Sequence, residues 1–194
     1  MKSLIILGND KIGGAAFENL SPSQSLSIMI DQSSNIYRVF ELIRKKRITI
    51  QLVIKMILAE LLRSGSKPPN SLPTICSNAQ LLECINREYY QKIILFRAGL
   101  IIKKSVIETG IEILNIHAAK VPEYGGIGSI NRALKDKSFN QFACLHQVTN
   151  KIDEGEVIDK ERFSLSSSNS YAVNEDIAYA AAMRLLLRNI ELTS

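Results

Sequence analysis

Histidine occurs twice in this chain of 194 residues, at positions 117 and 146. With so few imidazoles, the context of each one carries weight. His117 closes an apolar run, 111–117, and Asn115 stands two positions before it. In an extended strand, residues i and i+2 project to the same face, so an amide and an imidazole stand together at the carboxyl end of that run. Open α/β sheets place their sites at such ends. His146 shares a strand face with Phe142, Cys144 and Val148, and Asp153 follows seven residues later in the turn IDEGEVI. An amide, an imidazole and a carboxylate near strand ends can polarise a carbonyl and move a proton. Each piece alone is ordinary. An edge turn also uses Asp and Gly, and a lone His–Asp pair in a domain this size is more often structural than catalytic.

Two loops stand beside these residues. AAKVPEYGGIGS, after His117, carries a proline and three glycines at 125, 126 and 128. Near the N-terminus the run 3–7 enters Gly8, and GNDKIGGAAFENL reads as a glycine-containing turn followed by a helix to about residue 20. A strand, turn and helix in that order present backbone N–H groups to an anion. The glycines at 8, 13 and 14 match neither GxGxxG nor a P-loop, and a tight turn that needs glycine for backbone reasons explains them equally well.

The elements that must position these groups alternate. Strands are expected at 3–7, 25–31, 92–96, 111–117, 142–148 and 156–163. Helical patterns cover 36–62, 78–86, 103–109, 129–135 and 171–192, and the proline-rich stretch 64–73 is a loop. Ile50, Val53, Ile54, Ile57, Leu58 and Leu61 form an apolar stripe at helical spacing, with RKKR at 44–47 marking a break between two helices. This alternation predicts a single-domain α/β fold over 1–194, Rossmann-like, with a mostly parallel twisted sheet and helices on both faces.

Composition bounds the rest. Hydrophobic residues make up 46% and charged residues 22%, enough to bury a core and too apolar for wholesale disorder. No uncharged apolar stretch approaches the ~18 residues that read as a membrane span, and the apolar run at the N-terminus is too short for a secretory leader. The three cysteines have no CxxC spacing and read as reduced thiols of a cytoplasmic protein, with no metal site expected. The net charge of +5 is concentrated between residues 33 and 66, which hold seven basic and two acidic residues. Such a run is ordinarily a solvated face, and it also suits anionic partners such as phosphates, polyglutamates, nucleic acid or an acidic lipid surface.

LNIHAAKVPEYGG followed by HQVTNKIDEGEVI resembles the folate-dependent formyltransferases, the family of glycinamide ribonucleotide transformylase, the methionyl-tRNA formyltransferase catalytic domain and the sugar N-formyltransferases. The family pattern is Asn-x-His, a Leu-Pro-x-aromatic-x-Gly loop, then His and, seven residues on, Asp-x-Gly. Here it falls on Asn115, His117, Pro122, Tyr124, Gly126, His146, Asp153 and Gly155. FRAGLI at 96–101 occupies the place of the family's pteridine-contacting loop. Where the family has proline and serine after the histidine, this chain has Ala118 and Ala119, and Gly125 replaces a basic residue.

The resemblance implies a formyltransferase fold and transfer of a formyl group from 10-formyltetrahydrofolate to an acceptor amine, without a metal. Asn115 would donate to the developing oxyanion, His117 would transfer the proton, and Asp153 would orient the imidazole or a water and raise its pKa. Phe96, Arg97, Ala98, Gly99, Leu100 and Ile101, with Ile152 and His146, would form the folate site; Arg97 would meet the glutamate tail or cap a strand, and His146 would support the folate loop or take the proton. Gly8, Asn9, Tyr124 and Gly126 would meet a phosphate-bearing acceptor. That acceptor is expected to be an amino sugar on a nucleotide, as in surface-polysaccharide biosynthesis. The alternatives are glycinamide ribonucleotide, against which the N-terminal turn lacks a Gly-Ser-Gly type phosphate loop, and a formyltransferase-fold binding or membrane-peripheral protein whose contact surface is 36–63. No nucleic-acid partner is expected, because the domain used for tRNA does not follow the core; a homodimer is compatible with the pattern.

Overall fold

The computed structural model describes residues 2–20, 23, 25–33 and 36–191. β1 (Ser3–Gly8), α1 (Lys11–Glu18) and β2 (Leu26–Asp31) come first, then α2 (Ile36–Arg44), α3 (Ile50–Leu62) and a two-residue strand, β3 (Thr74–Ile75). α4 (Asn78–Arg87), β4 (Lys92–Phe96), α5 (Lys104–Ile107) and β5 (Glu112–His117) follow. The chain ends through α6 (Ser129–Lys135), β6 (Asn140–Gln147), β7 (Val157–Ser164) and α7 (Tyr171–Glu191). The expected elements are present, 92–96 and 129–135 with the expected bounds and most of the others moved by a residue or more; residue 192 lies outside the described residues, and β3 is an addition.

All seven strands form one sheet in the order β3-β2-β1-β4-β5-β6-β7. β3, β2, β1, β4 and β5 run parallel, while β6 pairs antiparallel with both β5 and β7. The central strands are apolar at successive positions because both sheet faces are covered. Ile5 and Leu7 join Ile28, Ile30, Ile94, Leu114 and residues of α1, α6 and α7. Leu4 and Ile6 turn the other way, onto Ile93, Leu95, Leu81 and Val106. Each fully buried Leu or Ile contributes roughly 1.5–3 kcal/mol against exposure.

The crossover from β2 to β3 carries α2 and α3. Thr49 caps α3 by accepting from Leu52 N at 3.2 Å. The apolar stripe is present, but it faces outward: Ile50, Ile54, Ile57, Leu58, Leu61 and Leu62 are exposed, Ile54 by 51% and Leu61 by 68%. What α3 buries is a second stripe, with Leu52 and Ala59. At its C-terminal end the Arg63 guanidinium bonds Glu175 (2.9 Å) and Asp176 (2.7 Å) of α7, fastening the crossover to the body of the fold.

Candidate active site

The parallel-to-antiparallel change at β5 and β6 brings the two histidine strands side by side. Asn115 is paired in register with His146, and His117 with Cys144. The turn after β6 then folds back across the strand ends. Gly155 permits this, because a Cβ there would lie 1.8 Å from the Gln147 carbonyl oxygen. Asp153, in the left-handed region at φ 54°, is thereby aimed at both histidines.

Asp153 is the hub. Its Oδ1 accepts from Asn115 Nδ2 at 3.2 Å and lies 3.3 Å from His146 Nε2. Its Oδ2 accepts from Gly126 N at 2.6 Å and lies 3.4 Å from His117 Nδ1. Gly125 allows this approach, since a Cβ there would sit 3.0 Å from that of Asp153. Burial works against the carboxylate charge, but hydrogen bonding with His146, the neighbouring His117 and the Gly126 N–H prevail and hold Asp153 down to about 2.

Backbone carbonyls assign the tautomers, because a carbonyl oxygen only accepts. His117 Nε2 donates to Tyr124 O at 2.9 Å, so in the neutral ring Nδ1 keeps a lone pair. His146 Nδ1 lies 2.9 Å from Gln147 O, to which it donates, and its Nε2 lies 3.2 Å from Asn115 Nδ2 and 3.3 Å from Asp153 Oδ1. Asn115 Nδ2 thus sits between Asp153 Oδ1 and His146 Nε2. The expected rise in the His117 pKa is reversed: burial pushes the imidazole below its ordinary value and outweighs the raising influence of Asp153 and the Tyr124 carbonyl. A neutral imidazole with a free lone pair suits a base.

These residues line a cleft of about 1070 Å3 that also takes in Ala98, Gly99, Leu100, Ile101, Gly126 and Ile152. Ile101 and Ile152 are exposed apolar side chains on its wall. Phe96 is corrected: its side chain is fully buried, edge-on to Tyr179 at 6.1 Å, and belongs to the core. Arg97 neither caps a strand nor reaches out. Its guanidinium bonds Asp10 (2.6 Å) and Glu175 (3.0 Å) and stacks on Tyr179 at 4.6 Å. Tyr124 enters through its carbonyl, while its ring packs against the core.

Gly8 and Asn9 stand outside the residues lining the cleft. Gly8 is buried where a Cβ would lie 2.6 Å from Arg97 O, and Asn9 is exposed. Carboxylates already occupy the N-terminus of α1: Asp10 accepts from Gly13 N and Glu60 of α3 from Lys11 N, each at 2.9 Å. The glycines of this turn meet backbone-packing demands, since a Cβ on Gly14 would lie 1.8 Å from Ser66 O.

Three supporting residues escaped the sequence reading. Asp31, buried at the end of β2, accepts from Gly99 N and from Leu100 N (2.9 Å) and so shapes the 97–102 loop. Asn78 completes that support by donating to Ile101 O (2.9 Å) and accepting from Lys103 N (2.8 Å). Arg132 straps the loop after β5 by donating to Ile127 O (2.6 Å) and to Gly125 O. A carboxylate closing an apolar strand was the legible signal for Asp31; nothing local marked the other two. Among the described residues no group of three or more His, Cys, Asp or Glu is placed to hold a metal ion.

Known proteins are similar to this chain in sequence and in fold. The chain is 24% identical over 98 residues to a methionyl-tRNA formyltransferase of Rickettsia rickettsii, covering 50% of this chain and 32% of that protein. It thus spans about a third of the length of the curated relatives it matches. The fold matches a phosphoribosylglycinamide formyltransferase from Anaplasma phagocytophilum at TM-score 0.67 and 12% identity, covering 100% of this chain and 86% of that one. It matches an N-formyltransferase from Helicobacter canadensis, solved with folinic acid and dTDP-3-aminofucose, at TM-score 0.63 and 16% identity over 98% of this chain and 63% of that one. Residues 73–182, more than half of the chain and the stretch that holds Asn115, His117, His146 and Asp153, match the formyl transferase family, to which this protein belongs.

Proposed function

We propose that this chain transfers a formyl group from 10-formyltetrahydrofolate to an amine, and that the acceptor is an amino sugar carried on a nucleotide. The observation that carries the reading is the convergence of Asn115, His117 and Asp153, from separate segments, at one cleft. The cleft is large enough for a donor and an acceptor together. Its wall from Ala98 to Ile101, with Ile152, offers apolar surface on a backbone held by Asp31 and Asn78, which fits a flat heteroaromatic ring. The folate supplies an electrophilic formyl carbon when bound.

The side chains divide the remaining work. His117, held neutral by burial, takes the proton of the attacking amine on Nδ1 and returns it to the folate nitrogen as the bond from that nitrogen to the formyl carbon breaks and tetrahydrofolate leaves. Asp153, ionised near neutral pH and 3.4 Å away, stabilises the imidazolium so formed. Asn115 turns one amide hydrogen from the Asp153–His146 pair onto the developing oxyanion. His146, fixed by Gln147 O, holds Asn115 and Asp153 in place.

Fold similarity alone does not choose the acceptor, because purine-pathway and N-formyltransferase structures match comparably. The closed α1 N-terminus favours the amino sugar. A phosphate at that turn would meet the Asp10 and Glu60 carboxylates. The test offers 10-formyltetrahydrofolate with a panel of amines, including a nucleotide-linked amino sugar and glycinamide ribonucleotide, and follows folate absorbance. Turnover of the amino sugar, abolished in a folded His117→Asn variant, is expected. Normal turnover by that variant ends the assignment, and folinic acid binding without turnover on any amine makes the protein a binding module.

A further inference from the structure

The turn joining α2 to α3 places Lys45, Lys46, Arg47 and Ile48 on the wall of the same cleft as Asn115, His117 and Asp153. Its backbone is anchored: Lys46 N bonds Ile43 O and Arg47 N bonds Leu42 O, both at 2.9 Å, and Ile48 is buried. Lys46 stands at φ 55°, a helix-ending position where glycine is the easy choice and a long cation is not. The cations therefore project from a fixed backbone.

The cleft's other cations are committed. Arg97 is neutralised by Asp10 and Glu175, Arg132 donates to Gly125 O and Ile127 O, Lys151 pairs with Glu154 (3.3 Å), and Lys45 pairs with Glu41 (3.3 Å). Lys46 and Arg47, both exposed, have no side-chain ion pair or hydrogen bond among the described residues. Glu123, on the loop after β5, is the one cleft-lining carboxylate in the same condition, so these uncommitted groups leave a positive excess. The alternative anion seat, the N-terminus of α1, is filled by carboxylates.

We propose that Lys46 and Arg47 are the subsite that binds the phosphate group of the acceptor. A guanidinium fork and a mobile ammonium on one tight turn suit the several oxygens of a phosphate or diphosphate. That the phosphate belongs to the acceptor rests on the formyl-transfer reading; that the turn binds phosphate does not. The turn lies outside 73–182, in a part of the chain that the family match leaves uncovered.

The test measures inorganic pyrophosphate and folinic acid binding by calorimetry at low ionic strength. It compares wild type, Lys46→Ala/Arg47→Ala, and the charge-retaining Lys46→Arg/Arg47→Lys, each checked for an unchanged melting temperature. Pyrophosphate is expected to bind wild type at one site and ~10-fold or more weakly in the alanine variant, with the charge-retaining variant within about threefold and folinic acid unaffected throughout. Equal pyrophosphate binding by wild type and the alanine variant, or no single site in wild type, overturns the proposal. So does selective loss of folinic acid, which would give these cations to the glutamate carboxylates of the donor. If folinic acid fails to bind wild type, the donor assignment falls while the pyrophosphate comparison still decides the subsite.

Discussion

Nδ1 of His117 lies 3.4 Å from Oδ2 of Asp153, while the other nitrogen of the same ring is tied to the Tyr124 carbonyl at 2.9 Å. The imidazole is thus held between a fixed acceptor and a charge that would welcome a second proton. Burial decides the balance in favour of the neutral ring.

This sets the pH dependence of turnover. His117 titrates below its ordinary 6.5, so the acid limb of kcat is expected to have its midpoint below that value. Asp153 is what resists the downward push, so Asp153→Asn should move the limb further toward acid while rate falls by roughly 10²–10⁴-fold. A pH–rate profile measures both. A limb that moves toward alkali in Asp153→Asn would show that the carboxylate is not acting on this imidazole.

Asp153 also couples folding to acid. Its folded value of about 2 lies below the 3.8 of the free side chain, so ionisation favours the folded state. The contribution, about 2 kcal/mol, is fully present above about pH 4 and is lost as pH falls through the folded value. Denaturant titrations of wild type and Asp153→Asn should converge toward acid, the difference in slope appearing between about pH 4 and pH 2.

Asp31 holds the backbone of the cleft wall proposed to receive the donor. Asp31 Oδ2 accepts from both Gly99 N and Leu100 N while Oδ1 accepts from Ser33 N at 2.8 Å, so Asp31→Asn keeps the shape but turns an N–H donor toward one of these backbone donors. Stability should drop by about 1–3 kcal/mol, as for a buried group left unpaired. Folate KM should rise ~10-fold with kcat nearly kept, the pattern of lost binding that is the same in ground and transition states. A kcat loss at constant KM would place Asp31 in the chemistry instead.

The two sides of α3 should respond oppositely. Ile54→Gln and Leu61→Gln lie on the exposed stripe and should each change unfolding free energy by no more than about 0.5 kcal/mol. Leu52→Ala empties a buried contact beside Gly128 and should cost about 2–4 kcal/mol. Denaturant midpoints at constant m-value measure the contrast.

Much of this protein is legible in its sequence. The apolar runs that become β1, β4 and β5 declare a sheet covered on both faces, and Asn115 and His117 declare their shared face, because the two-residue period of a strand is a local property. The interval from His146 to Asp153 likewise announces a turn that returns to its own strand. Long-range meetings were not legible. Arg97 is spoken for by Asp10 and Glu175, 87 and 78 residues away, and the 97–102 loop is held by Asp31, 69 residues from Leu100. Periodicity shows that α3 has an apolar side, but which of its two apolar stripes is buried depends on what the rest of the chain packs against it. The state of His117 has the same origin: a neighbouring carboxylate is visible as a residue type, whereas the burial that overrules it exists only once the whole sheet has closed around the ring.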